Sequence, residues 1–299
     1  IGIWSYPLCS LIAMGLTPLI SAEWNWRVQL LIPAILSLIA TALAWRYFPE
    51  SPRWLESRGR YQEAEKVMRS IEEGVIRQTG KPLPPVVIAD DGKAPQAVPY
   101  SALLTGVLLK RVILGSCVLI AMNVVQYTLI NWLPTIFMTQ GINLKDSIVL
   151  NTMSMFGAPF GIFIAMLVMD KIPRKTMGVG LLILIAVLGY IYSLQTSMLL
   201  ITLIGFFLIT FVYMYVCYAS AVYVPEIWPT EAKLRGSGLA NAVGRISGIA
   251  APYAVAVLLS SYGVTGVFIL LGAVSIIVAI AIATIGIETK GVSVESLSI

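Results

Sequence analysis

The sequence predicts an all-α, polytopic membrane protein, and three observations carry that prediction. Of the 299 residues, 58% are apolar and only 12% charged, with a mean hydropathy of +0.86. A soluble domain sits nearer half apolar and a quarter charged. The apolar residues fall into runs of about 20, the length that spans a bilayer as one helix. The charges gather between those runs. In hydrocarbon each backbone group must pair within its own segment, so the runs are expected as helices.

Eight runs are expected to span, at about residues 1–21, 28–47, 111–138, 147–169, 176–194, 198–223, 237–260 and 265–286. Gly and Pro are common inside them: Pro7, Pro18, Pro33, Gly157, Pro159, Gly161 and Pro252. In water these would argue against helix; within a membrane they argue for close packing and kinks. Ile1 is not a Met and no basic region precedes the first run, so no signal peptide is expected there. The reading is of a chain entered within a membrane domain.

Between the second and third runs lies one polar piece, residues 48–110. Ser51 followed by Pro52 reads as an N-cap and first helical residue. Ala64, Val67, Met68 and Ile71 form one stripe of an amphipathic helix. Residues 80–99 hold five prolines and read as a linker. Helix is expected to resume over 101–109.

Orientation follows from Lys and Arg. Of 20, 11 lie in residues 45–111, and Lys171, Arg174, Lys175, Lys233, Arg235, Arg245 and Lys290 fall on the same side; only Arg27 and Lys145 oppose them. Basic loops stay cytoplasmic, so the polar piece and the tail are expected there. The net charge of +5 is read in this way, with the lipid bilayer as partner and no nucleic acid. The chain has no His, which removes His metal sites, triads and proton relays. Cys9, Cys117 and Cys217 sit far apart in apolar runs and read as small hydrophobes. No metal site and no cofactor are expected, and an enzyme is not.

Four segments on the predicted cytoplasmic side carry a family resemblance. They are Pro49-Glu50-Ser51-Pro52-Arg53-Trp54-Leu55, Asp170-Lys171-Ile172-Pro173-Arg174-Lys175, Glu226-Ile227-Trp228-Pro229-Thr230 with Arg235-Gly236, and Glu288-Thr289-Lys290-Gly291. In this order they resemble the turns after helices six, eight, ten and twelve of the major facilitator superfamily, in its sugar-porter-like and organic-ion-like members. Pro173 and Lys171 depart from the family's usual Gly and Arg, respectively. The resemblance implies the major facilitator fold, with this chain as helices five to twelve of twelve. Residues 1–47 would be the last two helices of the N-terminal half, 48–110 a linker, 111–286 the C-terminal six-helix half and 287–299 a tail.

It also implies function: a secondary transporter in a bacterial inner membrane, moving a sugar, polyol or organic carboxylate by alternating access. The proton gradient would drive it, and the full-length protein would be a monomer. A uniporter and a non-transporting membrane scaffold stay open beside it. Latch residues carried by these motifs are Glu50, Arg53, Asp170, Arg174, Lys175, Glu226 and Arg235. They would pair at helix ends in one state, Asp170 with Arg174 and Lys175, and Glu226 with Arg235; plain solvated turn charges are the other reading.

Substrate candidates are the polar residues deep in spans. Asn123, Tyr127 and Asn131 are four apart on one face, with Gln126 beside them. An amide face in hydrocarbon must line a wet cavity or bond another helix. Asn151 and Ser154 are weaker candidates. Tyr215 and Tyr218 could reach one cavity, whereas Tyr223 fits an interfacial belt. Arg245 would lie about 13 Å deep if its helix enters near Gly236, with Asn241 one turn before it. Its guanidinium suits a carboxylate; an acid on a further helix is the alternative partner. All 15 acids lie in loops or at span ends, so these spans supply no proton site. The sugar-porter patterns of helices seven and ten are absent here, which weakens a hexose reading.

Overall fold

The computed structural model describes residues 4–16, 18–80, 82, 99–229 and 232–290, apart from the side chains of Tyr6, Ala22, Arg53 and Ser57. Every regular element among them is helical. Six helices among the described residues are long and apolar enough to cross a membrane. The chain divides into two compact units, Ile1–Leu19 with Pro95–Ile299, and Ile20–Ala94.

The larger unit holds α1 (Ser5–Leu16) and everything from residue 99 onward. A single turn, α5 (Tyr100–Leu103), precedes α6 (Gly106–Thr139). The expected helix over 101–109 is therefore interrupted at Leu104 and Thr105, and its second part belongs to the 34-residue α6. The span at 147–169 forms as α7 (Leu144–Met155) and α8 (Gly157–Val168), broken at Phe156. Pro159 explains the break, because it has no N–H for the Met155 carbonyl. Asn143 caps α7 by accepting from the Asp146 amide at 2.9 Å.

Then come α9 (Arg174–Ser193) and α10 (Met198–Cys217). The end of the α10 span is a π-helical turn, Tyr218–Tyr223, followed by the short α11 (Val224–Glu226). The last two spans form one long α12 (Lys233–Ile285) with a break at Gly263, where φ is 65° and ψ −160°. Only glycine adopts that conformation cheaply. The break lies between the two predicted spans, so α12 is two limbs.

Close packing follows the small residues. The main partners are α12 with α6 and α9, and α10 with α8 and α9. On α8, a methyl added at Gly157 or Gly161 would come within 2.3 Å of the Phe206 carbonyl oxygen or 2.2 Å of that of Thr210. Two glycines one turn apart thus let α8 lie directly on the α10 backbone. The helix α1 packs on α7.

The smaller unit holds α2 (Ala22–Tyr47), α3 (Pro52–Ser57) and α4 (Tyr61–Thr79). No part of the apolar window of α2 is buried. Ser51 takes the predicted N-cap position of α3, but its side chain makes no capping bond. Leu55 of α3 and Ala64 of α4 are buried. Met68 and Ile71 of the predicted stripe are exposed.

Candidate functional site

Two constellations carry the predicted residues. The first lies between α6 and the first limb of α12. Gly244 and Gly248 face α6: a methyl at Gly244 would meet the Leu119 Cβ at 2.8 Å and Asn123 Nδ2 at 3.0 Å, and one at Gly248 the Tyr127 ring at 3.2 Å. That approach brings Arg245 to α6, where its Nη1 donates to the Tyr127 hydroxyl. Arg245 itself is exposed, as are Asn241 and Asn131. Asn241 Nδ2 turns back to the Ser237 carbonyl at 2.9 Å.

Asn123 is buried and donates to the Leu119 carbonyl at 2.7 Å, while its Oδ1 is buried without a partner. Gln126 is buried and Tyr127 half-buried. The predicted face of α6 is therefore graded, from a closed end at Asn123 to an open one at Asn131. Tyr215 and Tyr218 are not on it. Both are fully buried, with ring centroids 5.7 Å apart, and the Tyr215 hydroxyl donates to the Val118 carbonyl at 3.1 Å. Of the weaker candidates, Ser154 is buried and bonds the Leu150 carbonyl at 2.9 Å. Asn151 lines a cavity of about 320 Å³ with Ser5, Cys9, Ser10, Ile130 and Met155.

The second constellation joins the turn before α9, the end of α11 and the tail. The Arg174 guanidinium holds Glu226 with two bonds, Nε to Oε2 and Nη2 to Oε1, both 3.1 Å. It also donates to the Met169 carbonyl through Nη1 and reaches Asp170 at 3.4 Å. The Asp170 side chain is 89% exposed, against 32% for Glu226 and 8% for Arg174. Glu226, not Asp170, is the main anion here.

The bond expected between Glu226 and Arg235 goes to Arg174 instead. Arg235 lies over the Tyr100 ring, 5.2 Å from its centroid. Lys175 takes part through its backbone: its N–H donates to Glu288 at 3.1 Å, beside that of Arg174 at 2.7 Å. Glu50 is exposed and lies in the smaller unit. The Arg53 side chain lies outside the described residues.

Sequence reasoning passed over three residues here. Glu288 caps α9, Thr289 donates to Glu226 at 2.5 Å, and Tyr223 bonds Ile287. Tyr223 is fully buried, not at a belt. A signal for Glu288 was present: α9 opens on two basic residues, has no acid in its first turn, and its N-cap residue, Pro173, has no side-chain acceptor of its own. That is the reverse of what a helix dipole favours, so a carboxylate from elsewhere is required. Burial works against the Glu288 charge. Three backbone N–H donors, from Arg174, Lys175 and Lys290, outweigh it and hold the carboxyl below its ordinary value of 4.5.

Residues 1–252 match the sequence profile of the Major Facilitator Superfamily. The chain belongs to the Major Facilitator Superfamily. It is 43% identical over its whole length to the inner membrane metabolite transport protein YdjE of Escherichia coli, of which it spans 66%. It is 25% identical to the niacin transporter NiaP of Acinetobacter baylyi over 97% of this chain and 65% of that protein. The chain thus spans just under two thirds of these curated relatives. A structure of the xylose transporter XylE from E. coli superposes with a TM-score of 0.70 at 18% identity, covering 97% of this chain and 62% of that one. The likeness supports the all-α major facilitator fold. Within that superfamily the relatives named here are transporters, and this chain is a partial chain of that membrane-spanning fold.

Proposed function

We propose that the full-length protein is a secondary transporter of a small organic carboxylate in a bacterial inner membrane, working by alternating access and driven by the proton gradient. No cofactor and no catalytic step enter this reading. The single observation that carries it is the Arg245–Tyr127 pair. An arginine on the first limb of α12 is exposed within an apolar helix and bonded to a neutral hydroxyl. A charge at that depth is costly unless it meets water or an anion. Tyr127 satisfies one N–H and leaves the rest of the guanidinium fork for a bidentate carboxylate. Asn131 and Asn241, also exposed, can bond the polar remainder of such a molecule. The similarity to a niacin transporter agrees with this class, since niacin is a pyridine carboxylate.

The Arg174–Glu226 pair supports the transport cycle. It ties the turn before α9 to the end of the α10 span, and such a pair can hold one state and release in another. By the basic-residue count this cluster and the tail face the cytoplasm.

The test is a thermal-shift panel on the purified full-length protein, using nicotinate, benzoate, xylose and glucose. Stabilisation by the carboxylates, lost in Arg245→Ala and weakened about tenfold in affinity in Arg245→Lys, is expected. Stabilisation by the sugars alone, unchanged in Arg245→Ala, would overturn the substrate class. Uptake of the stabilising compound into vesicles, abolished by a protonophore, tests the driving force.

A further inference from the structure

The tail after α12 is bonded residue by residue. Ile287 meets Tyr223, Glu288 meets the first two amides of α9, Thr289 meets Glu226, and Lys290 Nζ donates to the Lys171 carbonyl at 2.7 Å. The first of these differs in kind. The Tyr223 hydroxyl accepts from the Ile287 N–H at 3.0 Å and donates to the Ile287 carbonyl at 3.1 Å. It uses both its accepting and its donating capacity on one residue. That fixes the peptide planes on both sides of Ile287, and with them the direction in which Glu288 and Thr289 leave.

Tyr223 reaches this place through the π-helical turn. The turn at Tyr218–Tyr223 is one residue wider than an α-turn. Without the extra residue the Tyr223 side chain would point about 100° away. Its ring stacks on that of Tyr218, with centroids 5.0 Å apart and planes 15° apart. The Tyr218 hydroxyl is buried with no hydrogen-bond partner among the described residues. The stack therefore places one hydroxyl that binds and one that does not, which separates a hydroxyl effect from a packing effect.

We infer that Tyr223 is the positioning residue of a tail clasp: its hydroxyl fixes Ile287 so that Glu288 caps α9 and Thr289 supports Glu226. The clasp rests on the reading of Arg174 and Glu226 as a latch and adds a third strand to it. The latch pair lies 52 residues apart in the chain, and the clasp closes over 63 to 114 residues. Releasing Tyr223 would free the cap of α9 and one bond of Glu226 together.

The experiment is hydrogen–deuterium exchange of the full-length protein, read at residues 174–175 and 287–290. Tyr223→Phe keeps the ring and loses the hydroxyl. It should speed exchange about tenfold in both segments, the scale of a lost hydrogen bond or two. Ile287→Pro removes the donor while keeping Tyr223. Gly286, with φ −61° and ψ 146°, already has the backbone that precedes proline, so the residue before the substitution need not rearrange. The variant should speed exchange at 174–175 equally. Tyr218→Phe should leave both segments protected. Unchanged exchange at 174–175 in Tyr223→Phe and Ile287→Pro, or equal acceleration by Tyr218→Phe, would overturn the clasp. Thermal coupling between Arg174 and Glu226, measured in a double-mutant cycle, tests the latch separately, so the clasp can fail while the latch stands.

Discussion

Removal of the Glu226 charge should cost far more than removal of the Asp170 charge, although both acids touch Arg174. Glu226 gives Arg174 two bonds at 3.1 Å, and Asp170 gives one at 3.4 Å. Hydrogen bonds to charged groups contribute about 1.5–3 kcal/mol each when shielded. Glu226 is a third exposed, so its pair of bonds is discounted to roughly 2–3 kcal/mol in total. The Asp170 side chain is 89% exposed, and an exposed ion pair is worth less than about 1 kcal/mol. Glu226→Gln also leaves the mostly buried Arg174 without its main counter-charge, which adds to the loss. The assay is a thermal double-mutant cycle on the purified full-length protein: Arg174→Gln, Glu226→Gln, Asp170→Asn and the two doubles. Coupling of about 2–3 kcal/mol is expected for Arg174 with Glu226 and less than about 1 for Arg174 with Asp170. Equal coupling for the two acids would refute the assignment of Glu226 as the principal partner.

Gly161→Ala should destabilise the protein by about 1–3 kcal/mol, because the new methyl meets backbone, 2.2 Å from the Thr210 oxygen. Gly180→Ala, with open space around it, should be neutral or gain up to about 1 kcal/mol through helix propensity; thermal melts of the two variants check the contrast. The α9 cap should resist acid. Glu288 is held below its ordinary value of 4.5, so its contribution is present above that pH and is lost only as the pH falls through the lowered value. Amide protection at residues 174–175, corrected for intrinsic exchange, should stay level from pH 8 to pH 5; a loss beginning near neutrality would contradict it.

The long spans were legible because each is a hydropathy run long enough to cross the bilayer; six such helices stand among the described residues, whereas the first expected span is only the 12-residue α1 there and the last two are limbs of α12. What the sequence hid is local or distant. Pro159 argued for a kink in the 147–169 run but not for its place: the break falls three residues back, at Phe156. The π-helical turn has no pattern in hydropathy, so Tyr223 looked like a lone aromatic at a span end. The partner of Glu226 is 52 residues away and that of Glu288 is 114 away. Charge type says that such groups need partners, but spacing cannot choose among several arginines near helix ends. Arg245 stood out because an arginine in an apolar run is costly wherever it points. Tyr127 was already on the candidate face, and only the glycine contacts of α12 showed that the two meet.

Those contacts also link the two constellations. Trp228 lies two residues after Glu226 and is fully buried, with Gly236 of α12 beneath its ring; a methyl at Gly236 would come within 2.4 Å of it. From there the same face of the limb continues through Ala240, which lies 3.3 Å from a methyl placed at Gly115, to Gly244 and Gly248 against Asn123 and Tyr127. Gly236 and Arg245 are nine residues apart, about 13 Å along the helix. A close-packed contact of this kind has little slack, so a shift at one end is carried along the limb as a rigid body. Gly236→Ala tests that transmission. The methyl meets an indole wedged in the core, not the end of a flexible chain, so helix or ring must move. Faster exchange is expected both at residues 226–229 and along 240–248, up to the turn that bears Arg245. Exchange that rises only within one turn of residue 236 would show that the limb absorbs the shift locally, and the charge cluster and Arg245 would then be independent sites.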